Sequence, residues 1–400
     1  MADPWTDAID RMLSRIQDTA GRVKDFPHWA DPETGQWTTT PDGDWTGGCW
    51  IGQLWLAAAL TGEPRYRAWA EPFVERLRAR IDAQTVFKSF PAYYGASLGA
   101  ILHDAASPRE IGLATARSLA RLYEPALRLV PLGPHAEEGG HIGPTETSID
   151  SLQAAPFLFW ASGVTGDAAL REVASSHADT IINLHLRDDG SFIQSSSLDA
   201  ATGRLVRHYT HKGFSDTSTW GRAQAWGTLF STMSYLGGLE GPPKPPNARQ
   251  RAGGAGTLLD AWLDAAVRGA DWWLAHAPAD RVAFWDFDDP AIPNTERDTA
   301  ATAIMTAALL KLGRVAPTEA GRTRYQQAAE ATARALVERY LTPTHAGDRR
   351  VPGMLTEACF NKRADARAHD RASRCEFIVG SYYLFESLLG LAGRLDPLRV

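Results

Sequence analysis

The chain has 400 residues, of which 44% are apolar and 22% are charged, an ordinary composition for a globular protein. Its 41 Lys and Arg against 47 Asp and Glu give a formal net charge of −6, so neither a nucleic acid nor an anionic membrane is expected as a partner. Three cysteines are too few for a disulfide framework and match no zinc-binding spacing. The unusual feature is a content of 14 Trp, a side chain suited to stacking on flat sugar rings.

No signal peptide and no apolar run long enough for a membrane span is visible, which favours a cytoplasmic location. Apolar residues recur at i, i+3 and i+4 spacing in twelve segments, and this periodicity predicts helices. The predicted helices cover residues 4–19, 47–60, 64–82, 92–103, 108–123, 148–164, 168–184, 217–237, 256–276, 298–313, 319–340 and 377–393.

Strand signals are few, and the clearest is one predicted hairpin with strands at residues 189–194 and 201–204. Twelve helices in pairs with almost no strand predict an all-α fold, an (α/α)6 barrel of six helical hairpins, as one domain over residues 1–400. In such a ring, long loops at one end form the site. The long predicted loops are residues 25–46, 130–147, 185–216, 277–297 and 342–376.

Asp150 stands at the start of an apolar helical segment, in the sequence TSIDSL. One interpretation is a helix N-cap, where a carboxylate accepts backbone N–H groups and interacts favourably with the helix dipole. The other is a general acid/base at the mouth of the barrel. From the residues alone, both interpretations stay open.

A second motif, HKGFSDTSTWGRAQAW, begins at His211. Within it Trp220 and Gln224 are four residues apart, as are Arg222 and Trp226, so each pair shares a helix face. A guanidinium beside indole rings suits a sugar carboxylate, because Arg binds carboxylates through two parallel hydrogen bonds. The alternative is a Trp-rich helix that packs in the core.

Taken together, these motifs resemble the unsaturated glucuronyl hydrolases of glycoside hydrolase family 88 and, more distantly, family 105. The resemblance runs from about residue 10 to residue 393. The matching segments are Trp45–Trp55, Ile149–Ser151, Gly213–Trp226, Trp285–Asp288, Arg297–Ala301 and Gly380–Leu388.

The resemblance implies an (α/α)6 barrel that acts on saccharides with a 4,5-unsaturated uronic acid at the non-reducing end. In that family one Asp, matched by Asp150, protonates C4 and helps water to add at C5, after which the neighbouring sugar is released. No metal or organic cofactor is implied, and the expected partner is a saccharide or glycoside that carries a uronic acid. The implied substrate-binding set is Trp45, Trp50, Lys88, Gln194, His211, Lys212, Trp220, Arg222, Gln224 and Trp226.

The sequence departs from the family pattern at several positions. The second family Asp is missing: an ungapped placement puts Phe87 there, and a shift of one puts Lys88 there. Gln194 stands where a His is expected, Lys212 where a Gln is expected, and Ser381 where an Asp is expected. These changes make the pocket more cationic, which suggests a more anionic or differently decorated substrate.

Two other functions remain open at this level. The missing Asp is compatible with a changed reaction, hydrolysis or elimination on a glycosylated small molecule. The fold is also compatible with a barrel that binds sugars without turning them over. The presence of Asp150 and of the segment Trp220–Arg222 favours an enzyme.

Overall fold

The structure is a computed structural model that describes residues 3–136, 145–239, 257–345, 347–363 and 371–400. Twelve α-helices dominate it, and each predicted helix is present. They are α1 Thr6–Arg22, α2 Gly47–Thr61, α3 Pro64–Arg76, α4 Leu98–His103, α5 Ala106–Ala120, α6 Ala154–Thr165, α7 Ala168–His185, α8 Gly221–Leu239, α9 Leu258–His276, α10 Thr299–Val315, α11 Glu319–Arg339 and α12 Ile378–Leu391. Nine agree with their predicted bounds within four residues, whereas α3 ends, and α4 and α6 begin, six residues from the predicted positions.

Shorter helical turns extend some of these elements. A π-helical segment, Pro91–Ser97, leads directly into α4, and a 3₁₀ turn, Ile149–Gln153, leads into α6. Two further 3₁₀ turns cover Leu77–Arg80 and Val86–Lys88. The added turns matter because they place residues at one end of the barrel.

The helices form a closed ring of pairs. Helices α2, α4 with its π segment, α6, α8, α10 and α12 each contact the next, and α12 closes the ring on α2. The partners α3, α5, α7, α9, α11 and α1 pack outside them. This is the predicted (α/α)6 barrel.

Burial follows the ring. Helices α2, α8, α10 and α12 are buried along most of their length, as expected for helices with neighbours on every side. The outer helices α1 and α11 bury one stripe and expose polar residues on the other side. No helix in the described part of the chain is both long enough and apolar enough to cross a membrane.

Two small antiparallel sheets lie among the loops. One has the order β2 (Trp37–Thr40), β1 (Phe26–Ala30) and β6 (Glu376–Phe377). The other has the order β3 (Glu146–Ser148), β4 (Ser195–Leu198) and β5 (Leu205–Tyr209). The sheets tie loops that are far apart in the sequence to one end of the ring.

The predicted hairpin was wrong in its strand positions. The strands are β4 and β5, and Asp199 caps the turn between them by accepting the N–H groups of Ala201 and Thr202. Gly190, taken as a strand residue, lies in a separate turn with φ of +93°. The serine-rich β4 has little intrinsic strand preference and owes its conformation to pairing on both edges.

Candidate active site

The amino-terminal ends of the inner helices lie at the same end of the barrel. Trp45 precedes α2, and its ring lies 5.4 Å from that of Phe90, which precedes the π segment, and 6.0 Å from that of Phe377, which precedes α12. Arg222 in the first turn of α8 pairs with Asp298, the N-cap of α10. The positive ends of several helix dipoles therefore face one region, which favours a negatively charged ligand there.

Asp150 lies in this region, in the 3₁₀ turn before α6. Its side chain is only 5% exposed. The His177 side chain on α7 holds this turn in place. Its Nε2 donates a hydrogen bond to Ser151 O at 2.8 Å, and its Nδ1 accepts a hydrogen bond from Val130 N at 3.1 Å. This pattern requires the neutral imidazole, and burial lowers the pKa of His177 to about 4.

Gln194 connects the Asp150 turn to the predicted pocket residues of the following loop. Its backbone oxygen accepts Ile149 N at 2.8 Å, and its side-chain Oε1 accepts Lys212 N at 2.9 Å. Its Nε2 lies 3.3 Å from Nε2 of His211, whose Nδ1 is 2.7 Å from Ser195 Oγ. The structure thus brings four predicted residues into one connected group.

The Lys212 ammonium group faces three aromatic rings. Nζ lies 5.6 Å from the ring centroid of Trp45, 5.7 Å from that of Trp220 and 4.9 Å from that of Phe360. The lysine is only 4% exposed. Such faces stabilise a buried cation through the ring quadrupoles.

Arg222 lies behind two of these rings and is fully buried. Its Nε is 3.0 Å from Asp298 Oδ2, and its Nη2 donates to the backbone oxygens of Cys359 and Phe360. Burial raises the pKa of Asp298, and the Arg222 charge opposes that shift. The expectation of an Arg that binds a sugar carboxylate through two nitrogens stays a prediction: Nη2 is engaged by the protein, whereas the buried Nη1 has no hydrogen-bond partner among the described residues.

Trp226 forms part of the same aromatic wall, one turn further along α8. It stacks on Phe230 at 4.9 Å and meets Phe90 edge-to-face at 5.6 Å. Its buried Nε1 has no hydrogen-bond partner among the described residues. Phe87, which the ungapped placement puts at the position of the second family Asp, is buried with its ring 6.3 Å from that of Phe90.

Three predicted pocket residues lie elsewhere. Trp50 is buried on the outer side of α2, with its ring 6.2 Å from that of Phe73 on α3. Gln224 accepts Phe192 N and donates to the backbone oxygens of Gly190 and Gly269, so it braces a loop against α9. These two side chains serve packing and loop geometry.

Lys88 is the third. Its Nζ donates to Ile81 O at 3.0 Å and to Ser118 Oγ at 2.9 Å, on the outer helix α5. Burial lowers its pKa to about 8. Of the two lysines expected to make the pocket cationic, only Lys212 lies with the Asp150 group.

Phe360, Phe377 and Phe90 were not predicted as pocket residues, and the pairing of Asp298 with Arg222 was not predicted either. No local pattern marks these phenylalanines, because they come from three different loops that only the closed ring brings together. Within the described ranges, no group of three or more His, Cys, Asp or Glu side chains is arranged to hold a metal ion.

No model of a protein family matches the chain. The unsaturated glucuronyl hydrolase of Bacillus sp. (strain GL1) is 30% identical over 398 residues, covering 97% of this chain and 96% of that protein. Its crystal structure, described as that of an enzyme responsible for glycosaminoglycan degradation, superposes with a TM-score of 0.82 over 97% of this chain and 96% of that one. An unsaturated chondroitin disaccharide hydrolase of Streptococcus pyogenes serotype M1 is 27% identical over 344 residues, 84% of this chain and 80% of that protein. On this similarity along nearly the whole length, the chain belongs to the unsaturated glucuronyl hydrolase family.

Proposed function

We propose that the protein hydrates the C4=C5 double bond of an unsaturated uronic acid at the non-reducing end of a saccharide. Asp150 donates a proton to C4 and accepts one from the water that adds its hydroxyl to C5, so the carboxyl group returns to its starting state. The hemiketal formed at C5 then opens and releases the neighbouring sugar. The proposal rests on family membership and on one observation: Asp150 is buried in a turn that Gln194 joins to Lys212 through the Ile149 N–H and the Lys212 N–H.

One carboxylate is enough for this reaction. Where the resemblance implies a second Asp, the ungapped placement has Phe87 and a shift of one has Lys88, so neither placement supplies a second carboxylate. A glycosidase that attacks the anomeric carbon uses two carboxylates on opposite sides of the bond. Hydration of an enol ether requires one group that delivers a proton to carbon and one that removes a proton from water, and Asp150 serves as both in turn.

The test is the loss of alkene absorbance from unsaturated disaccharides made by several polysaccharide lyases. We expect Asp150→Asn, which keeps the shape of the side chain, to lower kcat by about 10²- to 10⁴-fold. Asp167→Asn, at the exposed N-cap of α7, is the matched control and is expected to leave kcat unchanged. Full activity of Asp150→Asn would remove the assigned role, and no turnover of any disaccharide by the wild type would remove the proposed reaction.

We further propose that Lys212 binds an anionic group of the substrate. Its Nζ lies 5.6 Å from the ring centroid of Trp45 and 4.9 Å from that of Phe360, and its backbone N donates to the Gln194 side chain that connects it to the Asp150 turn. Since Lys88 lies outside this group, the hypothesis of a more anionic substrate rests on Lys212 alone.

Sulfated and unsulfated forms of the same disaccharide test this proposal. Charge-assisted hydrogen bonds contribute about 1.5–3 kcal/mol, so Lys212→Gln is expected to lower kcat/KM for the sulfated form by about ten- to a hundredfold. The unsulfated form is expected to lose much less. An equal loss on both forms would assign Lys212 to the uronate carboxylate common to both and contradict the proposal of an additional anion.

A further inference from the structure

Phe214 is an exposed aromatic side chain, whereas the other described aromatics are buried or partly buried. It is 47% exposed, and among the described residues no other Trp, Tyr or Phe is exposed to a similar extent. The remaining large apolar side chains that are well exposed are all aliphatic. An exposed aromatic ring presents a flat apolar face on which a sugar ring can stack.

The backbone that carries Phe214 is held rigidly. Phe214 N donates to Oδ2 of the fully buried Asp286 at 2.8 Å, and that oxygen also accepts Ser218 Oγ at 2.7 Å. A Cβ at Gly213 would lie 2.3 Å from Thr210 Cγ2 and 2.7 Å from Asp286 Oδ2. The loop is therefore packed so closely against these neighbours that no side chain fits at this position. The exposed ring is therefore presented from a fixed support.

The same loop forms the wall of the proposed active site. Phe214 follows Lys212 by two residues, and Arg363 Nη1 donates to Gly213 O at 3.1 Å, which ties the loop to the segment that carries Phe360. Asp216 and Thr217, two and three residues after Phe214 in the same loop, are also exposed. An apolar ring with polar groups at its edge is the usual lining of a site for an amphipathic small molecule.

We infer that Phe214 is a stacking platform for the sugar attached to the unsaturated uronic acid, outside the pocket of Asp150. The sugar's C–H face covers the ring, and its hydroxyl groups meet the polar side chains beside it. This inference rests on the proposed function, because it places the second sugar relative to the residue that binds the first. It makes Phe214 a residue that selects for a saccharide leaving group and takes no part in the hydration itself.

Equilibrium binding in the Asp150→Asn background separates the two sugars. The probes are an unsaturated disaccharide and the methyl glycoside of the same unsaturated uronic acid, measured by calorimetry. Covering the exposed half of a Phe side chain is worth about 1 kcal/mol, so Phe214→Ala is expected to weaken disaccharide binding about fivefold. Binding of the methyl glycoside is expected to stay unchanged, and Phe214→Trp is expected to retain disaccharide binding.

Val164→Ala is the matched control. Val164 is 46% exposed near the carboxyl end of α6, and at a rise of 1.5 Å per residue it lies about 15 Å along that helix from Ala154, at the Asp150 end. This variant is expected to bind both probes like the parent protein.

The outcomes separate this inference from the proposed reaction. The platform would be refuted if Phe214→Ala weakened the binding of both probes equally, or if it left disaccharide binding unchanged. It would also be refuted if the Asp150→Asn parent bound neither probe. If the wild type turns over no unsaturated saccharide but disaccharide binding depends on Phe214, the proposed reaction fails and the platform stands.

Discussion

Replacing Asp298 with Asn tests whether the Arg222–Asp298 pair holds the wall of the site. Both side chains are fully buried, with 3.0 Å between Nε and Oδ2. Removing one charge of a buried pair leaves the other uncompensated and costs about 3–5 kcal/mol. Asn keeps the side-chain oxygen that accepts Ala300 N, so the cap of α10 is retained and the charge alone is removed.

The expected change in melting temperature follows from chain length. An unfolding entropy of about 2.1 cal/mol/K per residue gives about 0.8 kcal/mol/K for 400 residues, so the loss corresponds to about 4–6 °C. Calorimetry and urea unfolding at neutral pH measure it. The double variant Arg222→Met/Asp298→Leu removes both charges and is expected to recover part of the stability.

Glu330→Gln is the control for this experiment. It breaks the exposed pair with Arg334 on α11, where both side chains are about half exposed, and such pairs contribute about 0.5 kcal/mol or less. If Asp298→Asn costs no more than Glu330→Gln, the ion pair does not stabilise the wall and the reasoning from burial is refuted.

Two further predictions concern stability. The pKa of His177 is lowered to about 4 in the folded protein against 6.5 unfolded, so its contribution is complete above pH 6.5 and is lost as the pH falls towards 4. The corresponding loss in the free energy of unfolding is about 3 kcal/mol. We expect His177→Gln to flatten the pH dependence of this free energy, measured by urea unfolding from pH 7 to 4. An unchanged slope would exclude His177 as the source of the pH dependence. Gly353→Ala is expected to destabilise the protein far more than Gly62→Ala: both glycines have positive φ, but a Cβ at Gly353 would lie 2.1 Å from Arg11 O, whereas one at Gly62 meets nothing within 4 Å. The strain common to both costs about 1 kcal/mol, and equal melting temperatures for the two variants would contradict the steric argument.

The positions of the helices were predictable because the signal for them is local. Apolar spacing of 3.6 residues marks each helix, and turns such as the one at Gly166, with φ of +73°, mark its end. The small strands were less predictable. Ser195–Leu198 is a strand because β3 and β5 flank it: β5 follows after one turn, but β3 is separated from it in the sequence by α6 and α7.

The candidate site was predicted in part. Motif order along the chain identified Asp150, Lys212 and Trp220, since each lies in a recognisable local segment. The direction in which a side chain points could not be predicted. Trp45 and Trp50 lie in the same motif, yet Trp45 faces Lys212 whereas Trp50 faces α3. Which side of a helix meets the site depends on how that helix is rotated in the ring, and local sequence does not determine that rotation.

By itself, the sequence determined the twelve helices, their pairing into a barrel, the family and the single Asp150 in its expected place. The tertiary structure decided which cations and aromatics surround that residue. In the structure Lys88 donates to Ser118 on the outer helix α5, and Arg222 pairs with Asp298. The rings that face Lys212 belong to Trp45, Trp220 and Phe360, which are far apart in the sequence. The physical reason is that periodicity along the chain specifies where a helix lies, whereas the composition of a site depends on contacts between helix ends that meet only when the ring closes.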